Sequence, residues 1–99
     1  MSYQIRYTKE AKEDIERLYA FLLERDIQSA RHAKVAITKA MKFLEDFPFA
    51  CRKSSSGDPF LREMLISFGN SGYVALFEIE DKKNVTILAI RHQREEDYH

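Results

Sequence analysis

The sequence predicts a single α+β domain with the element order β-α-α-β-β-β, in which an N-terminal helical hairpin packs on one face of an antiparallel sheet. Three observations predict it. Residues 3–7 alternate between apolar and polar, two stretches between residues 8 and 46 carry apolar residues at helical spacing, and three strand-like segments follow Pro59. A chain of 99 residues can bury one hydrophobic core but not two, so we expect residues 1–99 to form one domain.

The first strand and the first helix are predicted from residues 3–22. On a strand, the sequence YQIRY places Tyr3, Ile5 and Tyr7 on one face. Thr8 can then cap a helix whose first turn is acidic. The apolar residues of this helix recur at steps of three and four, which predicts a stripe that faces the core: Ala11, Ile15, Leu18 and Leu22.

A second helix follows a short connection around Asp26. Its small and apolar residues also fall on one side: Ala30, Ala33, Ile37, Ala40 and Leu44. Two helices joined so closely must lie antiparallel, as a hairpin. The helix ends before Pro48, because the residue that precedes a proline is disfavoured in the helical region. The next stretch, CRKSSSGDP at residues 51–59, is predicted to be a loop.

Three strands are predicted in the last 40 residues, with the sequences FLREMLISF, GYVALFEIE and NVTILAIRH. The short turns FGNSG and DKK separate them, which favours an antiparallel meander. We expect Tyr3, Tyr73 and Phe77 to pack in the sheet.

Composition excludes several classes of protein. Hydrophobic residues make up 44% and charged residues 32% of the chain, which is typical of a globular domain. The sequence shows neither a membrane-spanning run nor a signal peptide, so we expect a cytoplasmic protein without a membrane partner. Cys51 is the only cysteine and cannot form an internal disulfide. No residue spacing indicates a metal site, and no cofactor is expected.

The overall charge gives no indication of nucleic-acid binding. Lys+Arg and Asp+Glu both total 16, so any such role would depend on a local patch. One candidate is the acid-free stretch between Asp26 and Glu45, which carries Arg31, Lys34, Lys39 and Lys42. The same stretch also fits the solvated outer face of an ordinary helix.

The end of the chain, ILAIRHQREEDYH, brings candidate catalytic groups together. RNA cleavage without a metal needs an acid, a base and a cation to stabilise the phosphorane. Arg62, His92, Arg94 and Tyr98 could supply these functions. Glu95, Glu96 and Asp97 lie in the same segment and would repel a phosphate. Arg62 also fits a surface ion pair, and His92 a packing residue at a strand end.

The order of elements and several degenerate motifs resemble the RelE/ParE superfamily of bacterial toxins. The resemblance spans nearly the whole chain. The motifs that carry it are Ala11 and Asp14 on the first helix, Pro48 after the second, Leu61-Arg62-Glu63, Tyr73 and His92-x-Arg94. The resemblance implies that the chain is the toxin of a type II toxin-antitoxin operon, of the kind that can stabilise plasmids. A co-expressed antitoxin would neutralise this toxin by wrapping around it.

The resemblance leaves two activities open. ParE-like members poison DNA gyrase without chemistry of their own, whereas RelE-like members are ribosome-dependent mRNA endoribonucleases. The balanced charge, the acidic run near the end and the His-x-Arg ending favour the ParE-like branch, so we do not expect an enzyme. The residues expected to contact the target are Arg62, Arg91, His92 and Arg94.

The implied antitoxin would bind a groove between the hairpin and the sheet. The apolar residues expected to form this surface are Leu22, Leu23, Phe43 and Phe47, and we expect them to be partly exposed. Operator DNA would be bound only indirectly, through the antitoxin, because no segment resembles a DNA-reading helix.

Overall fold

The computed structural model describes residues 2–68 and 71–92, and its side chains within 2–67 and 72–92. The chain forms two helices and a five-stranded sheet. The first strand precedes the helices in the sequence, and the other four strands follow them. The elements are β1 (Gln4–Tyr7), α1 (Lys9–Arg25), α2 (Ile27–Asp46), a 3-10 turn (Pro48–Ala50), β2 (Arg52–Lys53), β3 (Leu61–Phe68), β4 (Ser71–Ile79) and β5 (Asn84–His92). The predicted α+β class is confirmed. No helix within the described residues is both long and apolar enough to cross a bilayer.

A single residue joins the two helices. The backbone N–H of Asp26 donates to the carbonyl of Leu22 and so ends α1. The carboxylate of Asp26 accepts from the N–H of Gln28 at 3.0 Å and so begins α2. Because one residue leaves no room for a wider turn, the helices form the predicted hairpin.

The sheet has the strand order β1-β5-β4-β3-β2. The predicted antiparallel meander is present, since β3 pairs with β4 and β4 with β5 in antiparallel register. The sheet as a whole is mixed, however, because β1 pairs with β5 in parallel. The hairpin explains this difference from the sequence expectation. It returns the chain to the start of β1, where the N–H of Tyr3 donates to the carbonyl of Glu45 at 2.6 Å. The strand β3 therefore begins at the same end of the sheet as β1. Because β3, β4 and β5 alternate in direction, β5 runs in the same direction as β1.

The hydrophobic core lies between the hairpin and one face of the sheet. The predicted stripes supply its helical half, with Ala11, Ala33 and Leu44 fully buried. Alternate residues of the meander supply the other half, including Phe77 and Tyr73, at 0% and 5% exposure. Tyr3 packs against the margin of this core, where it is half-buried. The three aromatic residues therefore pack in the sheet, as predicted.

Beyond the end of β1, residues of the N-terminal segment form hydrogen bonds with the backbone groups on the outer edge of β5. Thr8 donates its N–H to the carbonyl of Ile87 at 3.0 Å and its hydroxyl to the carbonyl of Leu88 at 3.1 Å. Further along, Asp14 Oδ2 accepts the N–H of Ile90 at 3.0 Å. The contact with Asp14 ties α1 to the last part of β5, because a strand N–H left without an acceptor costs free energy.

Arg62 holds the segment between α2 and β3 in place. Its Nε donates to the carbonyl of Pro59 at 2.7 Å, and its Nη1 donates to the carbonyls of Cys51 at 2.8 Å and Phe49 at 3.3 Å. The guanidinium also lies 5.3 Å from the centroid of the Phe49 ring. The loop predicted for residues 51–59 is accordingly anchored by this side chain at both of its ends, and its first part forms the short strand β2.

We expect Asp14→Ala to lower the free energy of unfolding by about 1–3 kcal/mol, because the N–H of Ile90 loses its acceptor in a partly buried position. Asp14 also pairs with exposed Arg17, a contact worth roughly 0–1 kcal/mol. Urea denaturation of Asp14→Ala and Arg17→Ala separates the two contributions. An equal loss in both variants would show that the bond to β5 contributes nothing.

Arg62→Ala should destabilise the chain by about 1–2 kcal/mol and expose residues 50–60 to proteolysis, because three carbonyls lose a charged donor. Arg62→Lys should lose most of the same stability, since an ammonium cannot reproduce the planar set of donors. The matched control is Arg52→Ala, which truncates an exposed arginine that forms a surface ion pair with Glu63. Unchanged proteolysis in Arg62→Ala would contradict the assigned role.

Candidate functional site

A cavity of about 670 Å³ opens between α1 and the end of the sheet where β4 begins and β5 finishes. Helix α1 is held against this end by Asp14, which lines the cavity together with Tyr73 of β4 and Arg91 and His92 of β5. The cavity therefore lies between elements that the core and the hydrogen bonds of β5 keep in fixed positions, as a recognition surface requires.

The charges around this cavity are mainly positive. Arg17 and Arg25 of α1 face it together with Arg91 of β5, and all three are exposed. Among the described residues that line the cavity, the single carboxylate is that of Asp14, which the N–H of Ile90 and the guanidinium of Arg17 already engage. Within this described lining, three guanidiniums against one carboxylate give a formal charge of +2, with His92 counted as neutral. We call this set, Arg17, Arg25, Arg91 and His92 around Asp14, the cationic site.

His92 packs against an aromatic ring within this site. Its imidazole lies edge-to-face on Tyr73, with the ring centroids 5.2 Å apart and the planes at 85°. The contact follows from the strand register, which pairs Tyr73 with His92. The side chain is half-buried, which leaves part of the ring accessible to a ligand in the cavity.

The structure does not bring Arg62 together with His92. Arg62 pairs with Phe77 and His92 with Tyr73, four residues away on β4. At 3.3 Å per residue this separation is roughly 13 Å along the strand, and Arg62 and His92 also lie on opposite sides of β4. They cannot contact one phosphate. Arg94 and Tyr98, the other members of the predicted catalytic set, lie outside the described residues, as do Glu95, Glu96 and Asp97.

Arg62 is therefore separated from the predicted target contacts Arg91 and His92, which lie in the cationic site. Arg94, the remaining predicted contact, falls outside the described residues. The guanidinium of Arg62 is occupied by the loop that it holds. That loop also contains Cys51, where burial raises the pKa of the thiol and nearby Arg62 opposes the shift. A raised pKa keeps the thiol protonated and unreactive at neutral pH.

Three of the four apolar residues predicted for antitoxin binding are exposed. Leu23 is 56%, Phe43 40% and Phe47 58% exposed. The rings of Phe43 and Phe47 pack against each other with their centroids 5.5 Å apart. Leu22 is only 5% exposed, so its predicted exposure is wrong. The reason lies in the helical spacing, because Leu22 belongs to the stripe of α1 that faces the core.

Three exposed residues that line the cavity were not predicted from the sequence as site residues: Phe21, Arg17 and Arg25. Phe21 is 53% exposed, and the guanidinium of Arg25 lies 5.6 Å from its ring centroid. The spacing carries a signal, since an apolar residue directly beside the core stripe of a helix lies at the margin of the core. Nothing in the spacing of α1 indicates that this margin would meet the end of β5.

Comparison with known proteins agrees with this architecture. Residues 5–97 match the family described as "ParE toxin of type II toxin-antitoxin system, parDE". Among solved structures, the chain is similar to one described as "Chromosomal ParDE TA system from P. aeruginosa", with a TM-score of 0.68 and 20% sequence identity, covering 92% of this chain and 96% of that chain. No curated protein matches it significantly in sequence. The structural likeness shows the fold, and the family match spans nearly the whole sequence, so the chain belongs to the ParE toxin family of type II toxin-antitoxin systems.

Proposed function

We propose that this toxin inhibits DNA gyrase, blocks replication when unopposed, and is neutralised by a cognate antitoxin. The observation that carries the proposal is the cationic site, which places Arg17, Arg25 and Arg91 at one end of the sheet beside an accessible imidazole. Arginine is enriched at the centres of protein interfaces, where its stem packs and its guanidinium pairs with carboxylates. The proposed target also places the action of the toxin in the cytoplasm.

Binding without chemistry suits this site better than RNA cleavage does. Arg62 and His92 are too far apart to contact one phosphate, and the ring of His92 packs on Tyr73. An endoribonuclease needs its acid, its base and its cation within hydrogen-bond reach of one scissile group. Within the residues that the structure describes, the groups predicted for that chemistry are not assembled, which favours a toxin that acts by occupying a surface of its target.

The exposed apolar residues of the hairpin suit an antitoxin that wraps around the toxin. Leu23 lies beside the turn between the helices, whereas Phe43 and Phe47 lie at the other end of α2. The 16 residue steps from Ile27 to Phe43 span roughly 24 Å along the helix axis. One compact contact would not cover both ends, but an extended segment lying along the hairpin would. Operator DNA would then be bound through the antitoxin.

The gyrase proposal predicts that the purified toxin inhibits supercoiling and traps cleaved DNA. Arg91→Ala should weaken inhibition about tenfold, because truncation of an interface arginine commonly costs more than 1 kcal/mol. The matched control is Lys83→Ala, which removes an exposed positive charge just before β5 begins, at its other end.

Normal supercoiling at micromolar toxin would overturn the gyrase proposal. Cleavage of mRNA that requires ribosomes would instead assign the toxin to the ribonuclease branch. Equal inhibition by Arg91→Ala and the parent toxin would remove the cationic site from the gyrase interface.

The antitoxin proposal predicts that Leu23→Ser weakens binding of the partner encoded beside the toxin gene by about tenfold, because burial of an exposed leucine contributes 1–2 kcal/mol. The control is Leu65→Ser, which changes a leucine of similar exposure on the opposite face of the sheet. Isothermal titration measures both. If the two variants lose the same affinity, the hairpin is not the preferred contact.

A further inference from the structure

A second cavity, of about 580 Å³, lies beside the turn between β4 and β5. The strand register places this turn at the end of the sheet opposite the cationic site, because β5 begins at Asn84 and finishes at His92. Rings of Tyr3, Phe49 and Phe60 line the cavity together with the carboxyl-bearing residues Asp58, Glu78, Glu80 and Asp81. We call it the acidic cavity.

Two phenyl rings of the acidic cavity are on the surface. Phe49 is 48% and Phe60 50% exposed, and their rings meet nearly edge-to-face with centroids 6.1 Å apart. Neither ring belongs to the hydrophobic core of the domain. Each leaves about half of a large apolar surface in water, and a partner that covered it would gain the corresponding transfer free energy.

The electrostatics of the acidic cavity favour a cation. Its lining includes four carboxylates and one ammonium, that of Lys82, which gives a formal charge of −3 in a chain whose net charge is zero. Hydrogen bonds from the Asn84 side chain and then from the Lys83 N–H lower the pKa of Asp81, so this carboxylate is ionised at neutral pH. Within residues 2–68 and 71–92, no hydrogen bond or ion pair engages the carboxylate of Glu78. This carboxylate can therefore accept hydrogen bonds from a ligand.

The combination of flat rings and carboxylates selects a guanidinium over other cations. A guanidinium stacks on aromatic faces while its N–H groups pair with carboxylates, whereas an ammonium is a strongly hydrated point charge. The chain itself contains one such contact at the same ring, since the guanidinium of Arg62 lies 5.3 Å from the centroid of Phe49.

We propose that the acidic cavity binds an arginine side chain of a partner polypeptide, whose guanidinium stacks on the exposed rings and pairs with the carboxylates beside them. This site is separate from the gyrase-contacting surface proposed above and does not depend on it. The cavity is large enough for one such side chain, and pockets of 300–1,000 Å³ are typical of ligand sites.

The experiment titrates the full-length toxin with the peptide acetyl-Gly-Arg-Gly-Arg-Gly-amide and follows backbone amide signals by NMR. Two matched peptides carry citrulline, which keeps the planar group without its charge, or lysine, which keeps the charge without the planar group. We expect saturable binding of the arginine peptide in the millimolar range, about −4 kcal/mol, with shifts concentrated at residues 49, 58, 60 and 78–82. Binding of the lysine peptide should be several-fold weaker, and that of the citrulline peptide weaker still.

Two variants test the assignment to this cavity. Glu78→Gln keeps the shape of the side chain and should weaken binding of the arginine peptide several-fold. Glu24→Gln makes the same change at an exposed position near the end of α1, away from the acidic cavity, and should not change the binding. Phe60→Leu should also weaken binding, because a leucine offers no ring for stacking.

Four results would overturn the proposal. Equal affinity for the arginine and citrulline peptides would remove the role of charge, and equal affinity for the arginine and lysine peptides would remove the role of stacking. Shifts spread over the whole surface, or equal effects of Glu78→Gln and Glu24→Gln, would show that attraction is not localised in this cavity. Each of these results leaves the gyrase proposal untouched.

Discussion

The outer edge of β5 is closed by groups from the first 14 residues of the chain. Backbone pairing with β1 covers Asn84 to Ile87, Thr8 binds the next carbonyl, and Asp14 binds the N–H of Ile90. Since a strand edge that is partly buried needs partners for its N–H and C=O groups, this arrangement sets where α1 lies. The cavity between α1 and the end of β5, with its arginines, follows from that placement.

The same topology separates the charges of a chain that is neutral overall. One end of the sheet carries Arg17, Arg25 and Arg91 around a cavity, and the other end carries the acidic cavity beside the turn between β4 and β5. Composition alone indicates a protein without electrostatic preference, whereas among the described residues cationic groups predominate around one cavity and carboxylates around the other. A small toxin that must contact both an antitoxin and a target has, in this arrangement, two surfaces of different chemistry on one rigid sheet.

Much of the fold was predictable from local patterns. The caps at Thr8 and Asp26, the core stripe that ends at Leu22 and the meander after Pro59 all follow from spacing and turn chemistry. The direction of β1 relative to β5 was not predictable in this way, since it depends on the path of the whole hairpin. The carbonyls that Arg62 binds belong to an irregular segment, so no periodicity indicates them.

The candidate site was less predictable than the fold, for a related reason. Arg91 and His92 were found because they end a strand, but their neighbours Arg17 and Arg25 come from α1, about 70 residues earlier in the sequence. Long-range packing of α1 on the sheet, together with the contact between Asp14 and Ile90, brings these side chains together. For Leu22 the sequence supported two incompatible predictions, since this residue of the core stripe was also expected to be partly exposed.

The proposed binding of gyrase through the cationic site can be followed along the chain by hydrogen–deuterium exchange of the toxin, free and bound to gyrase, because exchange reports on each segment of the backbone separately. We expect slower exchange in the second half of α1 and at the end of β5 on binding, and unchanged exchange in the turn between β4 and β5. Slower exchange at that turn, with no change at the end of β5, would contradict it.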